Sequence, residues 1–249
     1  MTTQSHILVT GATSGLGREI AVQLSARGES IIACGRREAR LVDLAAHENI
    51  QALKLDLTSR DEIASACKSM PSLSGIILNA GITVADPFSS GDFGTDETLI
   101  QTNVIANVQL IRGLLPKLKS PGGRILVIAS LGGLTPVPYQ AVYSGTKAFM
   151  INFAMSLREE LKHEHIKVSV FAPGGIKTEM TDIPAMKALE NQLAPAAEVA
   201  IAAIRAYDAM PPLAVPGFQN KCVAALSKIL PRSFMAGQAE RLYRKARNE

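Results

Sequence analysis

The stretch His6-Ile7-Leu8-Val9-Thr10-Gly11-Ala12-Thr13-Ser14-Gly15-Leu16-Gly17 decides how the chain begins to fold. A short apolar run predicts a strand over His6–Thr10, and the apolar spacing after the glycines predicts a helix over Leu16–Arg27. Between them, glycines allow a tight turn and a close backbone approach to an anion. The helix start adds free N–H groups and the positive end of its dipole. The spacing is Gly-x3-Gly-x-Gly rather than the Gly-x-Gly-x2-Gly of the common dinucleotide turn. Taken alone, an ordinary strand–helix connection also fits it.

Working outward, the same alternation recurs almost to the end. Apolar runs predict further strands over Ser30–Cys34, Ala52–Leu55, Gly75–Leu78, Arg124–Ala129, Lys167–Phe171 and Leu213–Val215. Helix-period stretches lie between them, over Arg37–His47, Arg60–Ser69, Asp96–Leu118, Gln140–Glu164 and Ala196–Tyr207. Strands that are apolar throughout are buried on both faces, and strand–helix alternation implies right-handed crossovers. The expected fold is α/β, a doubly wound parallel sheet of about seven strands with helices on both faces. No repeat, low-complexity tract or linker splits the sequence, so one domain over residues 1–249 is expected, with 217–249 a basic helical extension.

Composition bounds the function. Hydrophobic residues make up 47% and charged residues 19%, which fits a globular protein with a sizeable core. No apolar run approaches the ~20 residues that cross a bilayer, and the N-terminus lacks a signal-like pattern, so a cytoplasmic location is expected. Cys34, Cys67 and Cys222 are scattered and odd in number, without metal-ligand or disulfide spacing, and read as reduced, buried or partly buried thiols. His6, His47, His163 and His165 form no ligand pattern, and no metal is expected. The net charge of +4 is concentrated at the end, where Gly217–Glu249 carries +5. No zinc-finger, RRM or helix-turn-helix pattern accompanies it, so nucleic acid is not an expected partner.

The end of the second predicted strand reads Ala33-Cys34-Gly35-Arg36-Arg37. A carboxylate there would suit an adenosine 2′-hydroxyl; two guanidiniums suit a 2′-phosphate. Arg36 and Arg37 could also simply begin a solvated helix, although an arginine at a helix start opposes the dipole. NADP(H) is therefore favoured over NAD(H). Asp56 follows the third strand and suits either an adenine amino group or a turn. Asn79-Ala80-Gly81 closes the fourth strand, at the edge where open parallel sheets bind ligands.

Tyr143-Ser144-Gly145-Thr146-Lys147 places a phenol and an ammonium on one helical face. A neighbouring cation favours phenolate and so lowers a tyrosine pKa from near ~10 towards the range of proton-transfer catalysis. Ser130, just after the fifth strand, can hold the same substrate oxygen. By spacing alone, Tyr143 and Lys147 read as ordinary surface residues.

Together these motifs resemble the single-domain short-chain dehydrogenase/reductase superfamily from about Ile7 to Tyr207. They are TGATSGLG, Asn79-Ala80-Gly81, Asn103, Ser130, Tyr143-x3-Lys147 and Pro173-Gly174-Gly175-Ile176-Lys177-Thr178, in that order. The resemblance implies a Rossmann-type sheet and nicotinamide-dependent interconversion of a carbonyl and an alcohol. It implies Tyr143 as general acid/base, Lys147 on the nicotinamide ribose, Ser130 on the substrate oxygen and Asn103 holding a relay water. Gly11, Gly15 and Gly17, with Thr13, Ser14 and Leu16, would carry the pyrophosphate. Asp56 and Leu57 would flank adenine, and Asn79 and Gly81 the adenosine ribose side. Pro173, Gly174, Ile176 and Thr178 would cradle nicotinamide. Leu78 stands where many members have a second Asn, and Ser14 is not the basic residue of some NADP(H) users. A homodimer or homotetramer is the implied assembly.

The substrate side is read between two segments. One supplies Leu131, Gly132, Leu134, Pro136, Val137 and Pro138; the other supplies Met180, Ile183, Met186 and Leu189, with Glu179 and Asp182 as solvated lid positions. Their apolar character predicts a small, neutral, fairly hydrophobic aldehyde or ketone. The competing functions are a 3-oxoacyl thioester reductase and a non-catalytic NADP(H)-sensing module. The basic tail, with Val223, Leu226, Ile229 and Leu230 followed by Arg241, Arg244, Lys245 and Arg247, is expected to dock on its own domain or a second subunit. Peripheral contact with an anionic membrane is the lesser alternative.

Overall fold

The computed structural model describes residues 5–118, 122–182 and 193–246, with residues 245 and 246 described by backbone alone. Ile183, Met186, Leu189 and Arg247 lie outside the described residues. Strands β1 (His6–Thr10), β2 (Ser30–Gly35), β3 (Ile50–Lys54), β4 (Leu73–Leu78), β5 (Arg124–Ile128), β6 (Lys167–Phe171) and β9 (Leu213–Ala214) form one sheet in the order β3-β2-β1-β4-β5-β6-β9. Every pairing is parallel. A separate parallel pair, β7 (Ile176–Lys177) and β8 (Ala194–Pro195), brackets the undescribed 183–192 segment.

The helices are α1 (Gly15–Ala26), α2 (Glu38–Ala45), α3 (Arg60–Ser69), α4 (Phe93–Ile100), α5 (Ala106–Leu114), α6 (Ala141–Glu160), α7 (Ala196–Ala209), α8 (Phe218–Leu226) and α9 (Arg232–Ala246). The period-2 alternation of the strands sends each side chain to one of two helix layers. Leu8, Ile76, Ile125 and Val168 meet Ile63 of α3, Leu110 and Leu114 of α5, and Met150 and Ala154 of α6. Ile7, Val9, Ile77 and Leu126 meet Leu16 and Ile20 of α1 and Val199, Ala203 and Ile204 of α7. Each such apolar side chain contributes about 1.5–3 kcal/mol on burial, so a strand carrying them on both faces belongs at the centre of the sheet.

Three details differ from the sequence expectation. The predicted helix over Asp96–Leu118 starts at Phe93, where Asp92 accepts from the Thr95 N–H at 2.9 Å. It is then interrupted by a π turn over Gln101–Ile105. Such a turn adds a residue to the helical repeat and re-aims its side chains, here turning Asn103 into the interior. The predicted third strand begins at Ile50 instead of Ala52, because β2 supplies hydrogen-bonding partners from Ile31 onward. Cys222 is exposed, unlike buried Cys34 and Cys67, because it lies on the outer side of α8. No helix among the described residues is long and apolar enough to cross a membrane.

Candidate functional site

β1 connects to β2 on one side, whereas β4 connects to β5 on the other, so the crossovers diverge and leave a crevice above the carboxyl ends of β1 and β4. The glycine loop fills one lip of it. Gly11 adopts φ +64°, and a Cβ on Gly17 would lie 2.3 Å from Asn79 Nδ2 and 2.4 Å from the Gly11 carbonyl oxygen. Asn79 ties the lips together: its Nδ2 donates to the carbonyls of Thr10 at 3.0 Å and Gly11 at 3.3 Å. The buried Thr10 hydroxyl accepts from the N–H groups of Asn79 and Ala80, both at 3.0 Å. This leaves the start of α1 open toward a cleft of about 450 Å³.

That cleft brings together Gly11, Thr13, Ser14, Gly15, Arg36, Arg37, Asp56, Leu57, Asn79, Gly81 and Thr178. Asp56 forms a turn, accepting from the N–H and hydroxyl of Thr58 at 2.9 Å each, with Arg36 at 3.9 Å. Glu179, expected as a solvated lid position, is exposed and is also paired with Arg37 and, at 3.2 Å, with Arg40. The hydrogen bond from Arg37 holds its carboxyl below the ordinary glutamate range. The lid segment thus approaches the start of α2, a contact that sequence separation concealed. Asp182 is exposed.

Beyond a shared wall of Asn79, Gly81, Thr83, Thr178 and Met180 lies a second cavity, also about 450 Å³. It gathers Leu16, Ser130, Tyr143, Lys147, Pro173, Gly174 and Ile176. Backbone bonds fix its floor: Ala129 N–H donates to the Phe171 carbonyl and Leu131 N–H to that of Pro173, both at 2.8 Å. The turn at Leu131–Gly133 lies so close to α6 that a Cβ on Gly133 would be 2.8 Å from the Lys147 carbonyl oxygen. This packing sets the Ser130 hydroxyl beside the Tyr143 phenol, where it favours the phenolate.

Lys147 is 6% exposed. Its Nζ donates to the Ile128 carbonyl at 3.1 Å and lies 5.7 Å from the centroid of the Tyr143 ring. Burial pulls the ammonium down to about 8. Tyr143 moves oppositely to the sequence expectation: burial raises its pKa, and the Ser130 hydrogen bond offsets only part of that. Desolvation of the phenolate therefore sets the direction of the shift. Asn103 and Gly17 line neither cavity. Asn103 is 1% exposed; its amide accepts from Ile82 N–H at 2.9 Å and donates to the Ile82 carbonyl at 3.0 Å and Thr146 Oγ1 at 3.2 Å. It therefore locks the segment after Gly81 to the helix that bears Tyr143 and Lys147.

Residues 5–187 match the family described as short chain dehydrogenase. The chain belongs to the short-chain dehydrogenase family. Among its relatives, dehydrogenase/reductase SDR family member 7B of Xenopus laevis is 34% identical over 191 residues, covering 70% of this chain and 59% of that protein. The fold superposes on a short-chain dehydrogenase from Burkholderia cenocepacia J2315 in complex with NADP, with TM-score 0.83 and 23% identity, covering 94% and 97% of the two chains. It also resembles the closed form of a serine dehydrogenase complexed with NADP+, with TM-score 0.76, 27% identity and 85% and 94% coverage.

The rest of the second cavity matches the sequence expectation only in part. Leu131, Gly132, Val137 and Met180 line it as expected, but Leu134, Pro136 and Pro138 do not; Leu134 turns into the core. Sequence reasoning missed Thr83, Thr135, Gln140, Leu193, Asn220, Val223, Leu242 and Tyr243. Leu193 comes from the approach to β8, and the last four come from the C-terminal helices, which dock on their own domain. A Cβ on Gly174 would be 2.6 Å from Asn220 Oδ1, and Tyr243 donates to Gln140 Oε1 at 2.9 Å. The available signal was the helical spacing of Met235, Ala236, Ala239 and Tyr243, which puts them on one face of α9, and in the structure that face is the less exposed one.

Proposed function

We propose that the chain is an NADP(H)-dependent oxidoreductase that interconverts a ketone or aldehyde with an alcohol. The observation that carries this is the Tyr143 phenol, set beside Ser130 and buried Lys147 in a largely apolar cavity that adjoins an anion-ready cleft. The residues fit a dinucleotide: a glycine turn so tight that a Cβ would collide with Ala80, Thr178 or Asn79, a free helix start, and two arginines at the adenosine end. Gly11, Thr13, Ser14 and Gly15 would hold the pyrophosphate, with Gly17 allowing the turn to pack on Asn79; Arg36 and Arg37 would hold a 2′-phosphate, and Lys147 the nicotinamide ribose. When bound, the nicotinamide supplies the hydride. The NADP+ complex of the serine dehydrogenase supports the choice of cofactor.

Because burial raises its pKa, Tyr143 keeps its proton at neutral pH and acts as the general acid in reduction. Ser130 orients the substrate oxygen toward it. The proton passes from Tyr143 Oη to that oxygen, and the phenolate left behind is stabilised by the Lys147 ammonium. Asn103, held by Ile82 and Thr146, positions the inner end of the relay. No carboxylate or guanidinium among the described residues lines the cavity, which supports a neutral substrate. Exposed Phe93, Ile100 and Phe149 on α4 and α6 support a homo-oligomer. Exposed Phe218, Leu226 and Ile229 beside Lys221 and Lys228 are the surface that a membrane contact would use. Three free thiols support a cytoplasmic location. A panel of ketones, aldehydes and secondary alcohols, followed by NADPH absorbance, tests the activity; turnover of none of them refutes it.

A further inference from the structure

We infer that the substrate cavity contains a second-oxygen subsite, built by Tyr243, Gln140 and Thr83, that selects carbonyl substrates bearing a further neutral hydroxyl or carbonyl. The inference rests on the oxidoreductase reading above and specifies its substrate class.

The three residues come from distant parts of the chain. Thr83 follows β4, Gln140 caps α6 three residues before Tyr143, and Tyr243 arrives on α9. Tyr243 Oη donates to Gln140 Oε1 at 2.9 Å, and Gln140 Nε2 donates to Thr83 Oγ1 at 3.0 Å. Gln140 is 7% exposed, and all three line the cavity. Burial lifts the Tyr243 phenol to about 12, and the nearby Tyr143 pushes it in the same direction, so two protonated phenols face one cavity.

The geometry around them is enforced. Tyr139 adopts φ +65°, a left-handed conformation unfavourable for a side chain of its size. It is held there by Tyr243, with ring centroids 6.1 Å apart, and by a 3.4 Å bond from its hydroxyl to Glu240. Backbone of this kind persists where its surroundings over-determine it, and here α9 does so directly beside the start of α6.

Each bond within the trio uses only part of its members' capacity. The Tyr243 oxygen retains acceptor lone pairs, and the Gln140 amide retains a second N–H. Most of the remaining wall is apolar, including Leu131, Val137, Leu193 and Val223. A wholly apolar substrate that displaced water here would leave these groups unpaired, at a cost comparable to a lost hydrogen bond. An oxygen placed there accepts from Gln140 and, if a hydroxyl, donates to Tyr243. Since the trio itself carries no charge, the matching group is neutral. A site built this way rejects the analogue that lacks the oxygen.

The test compares 2-octanone with its 1-, 4- and 5-hydroxy derivatives in wild type and Tyr243→Phe, with Gln140→Met as a second variant. The double ratio of Michaelis constants, hydroxyketone against parent ketone and variant against wild type, cancels differences in intrinsic reactivity. For at least one hydroxyketone, Tyr243→Phe is expected to weaken apparent binding by about three- to tenfold. NADPH affinity is expected to stay unchanged, and apparent binding of the parent ketone is not expected to weaken, since it makes no bond to the Tyr243 hydroxyl. An equal change for both members of every pair, or no change, overturns the subsite. If wild type turns over none of the panel, the oxidoreductase reading fails separately. The same double ratio, then taken from calorimetric dissociation constants for the ketones with NADP+ present, still decides the subsite; absence of binding or of a differential counts against it.

Discussion

Replacing Lys147 with Met removes a buried ammonium while keeping an unbranched side chain of similar length. Burial lowers Lys147 from the ordinary 10.5 to about 8. Below pH 8 both folded and unfolded chains carry this proton, and the folded state bears the full cost of burying the charge. Between about 8 and 10.5 the unfolded chain binds the proton more tightly, so stability rises with pH; above 10.5 the cost is gone. The difference corresponds to on the order of 3 kcal/mol. The Ile128 carbonyl loses its bond from Nζ in the variant, at about 1 kcal/mol, and repacking takes up to about 1.5 kcal/mol. Lys147→Met is therefore expected to be more stable than wild type at pH 7 by roughly 1–2 kcal/mol, with turnover abolished. Urea unfolding at several pH values reads this as the difference between the two proteins, which cancels other titrations such as that of Cys34. The advantage should shrink by on the order of 3 kcal/mol between pH 7.5 and 10.5 and change sign. A difference independent of pH would show that the ammonium is hydrated, and would refute the assignment of its depressed pKa to burial.

Tyr143→Phe is expected to bind NADPH normally, by fluorescence titration, while losing reduction by orders of magnitude; retained turnover means that another acid acts. In wild type, alcohol oxidation should increase toward alkaline pH as the phenol, raised by burial, ionises, whereas reduction should fall. An oxidation rate independent of pH counts against Tyr143 as the base. Arg36→Asp with Arg37→Ala should shift preference toward NAD(H), and unchanged selectivity refutes the 2′-phosphate assignment. Glu179→Gln frees Arg37 and should tighten NADPH binding about two- to fivefold in calorimetry, since an exposed ion pair is a weak competitor; weaker binding would mean that Glu179 itself supports the cofactor.

The alternation of short apolar runs with helical periods was sufficient for the doubly wound sheet, because a strand buried on both faces leaves a sequence-local signature. The glycine loop and the Tyr143–Lys147 spacing were legible for the same reason: each is a local arrangement within one turn or helix. Their meaning as neighbours depended on the sheet, where diverging crossovers bring the ends of β1, β4, β5 and β6 together. Only tertiary structure decided the environment of Tyr143, since desolvation depends on every element packed around it. The π turn that aims Asn103 inward, the pairing of Glu179 with Arg37 142 residues away, and the return of Tyr243 to Gln140 across 103 residues are likewise non-local. Sequence patterning determined which faces must be buried. The choice of partner, and hence the shape and polarity of the substrate cavity, depended on how distant faces pack together.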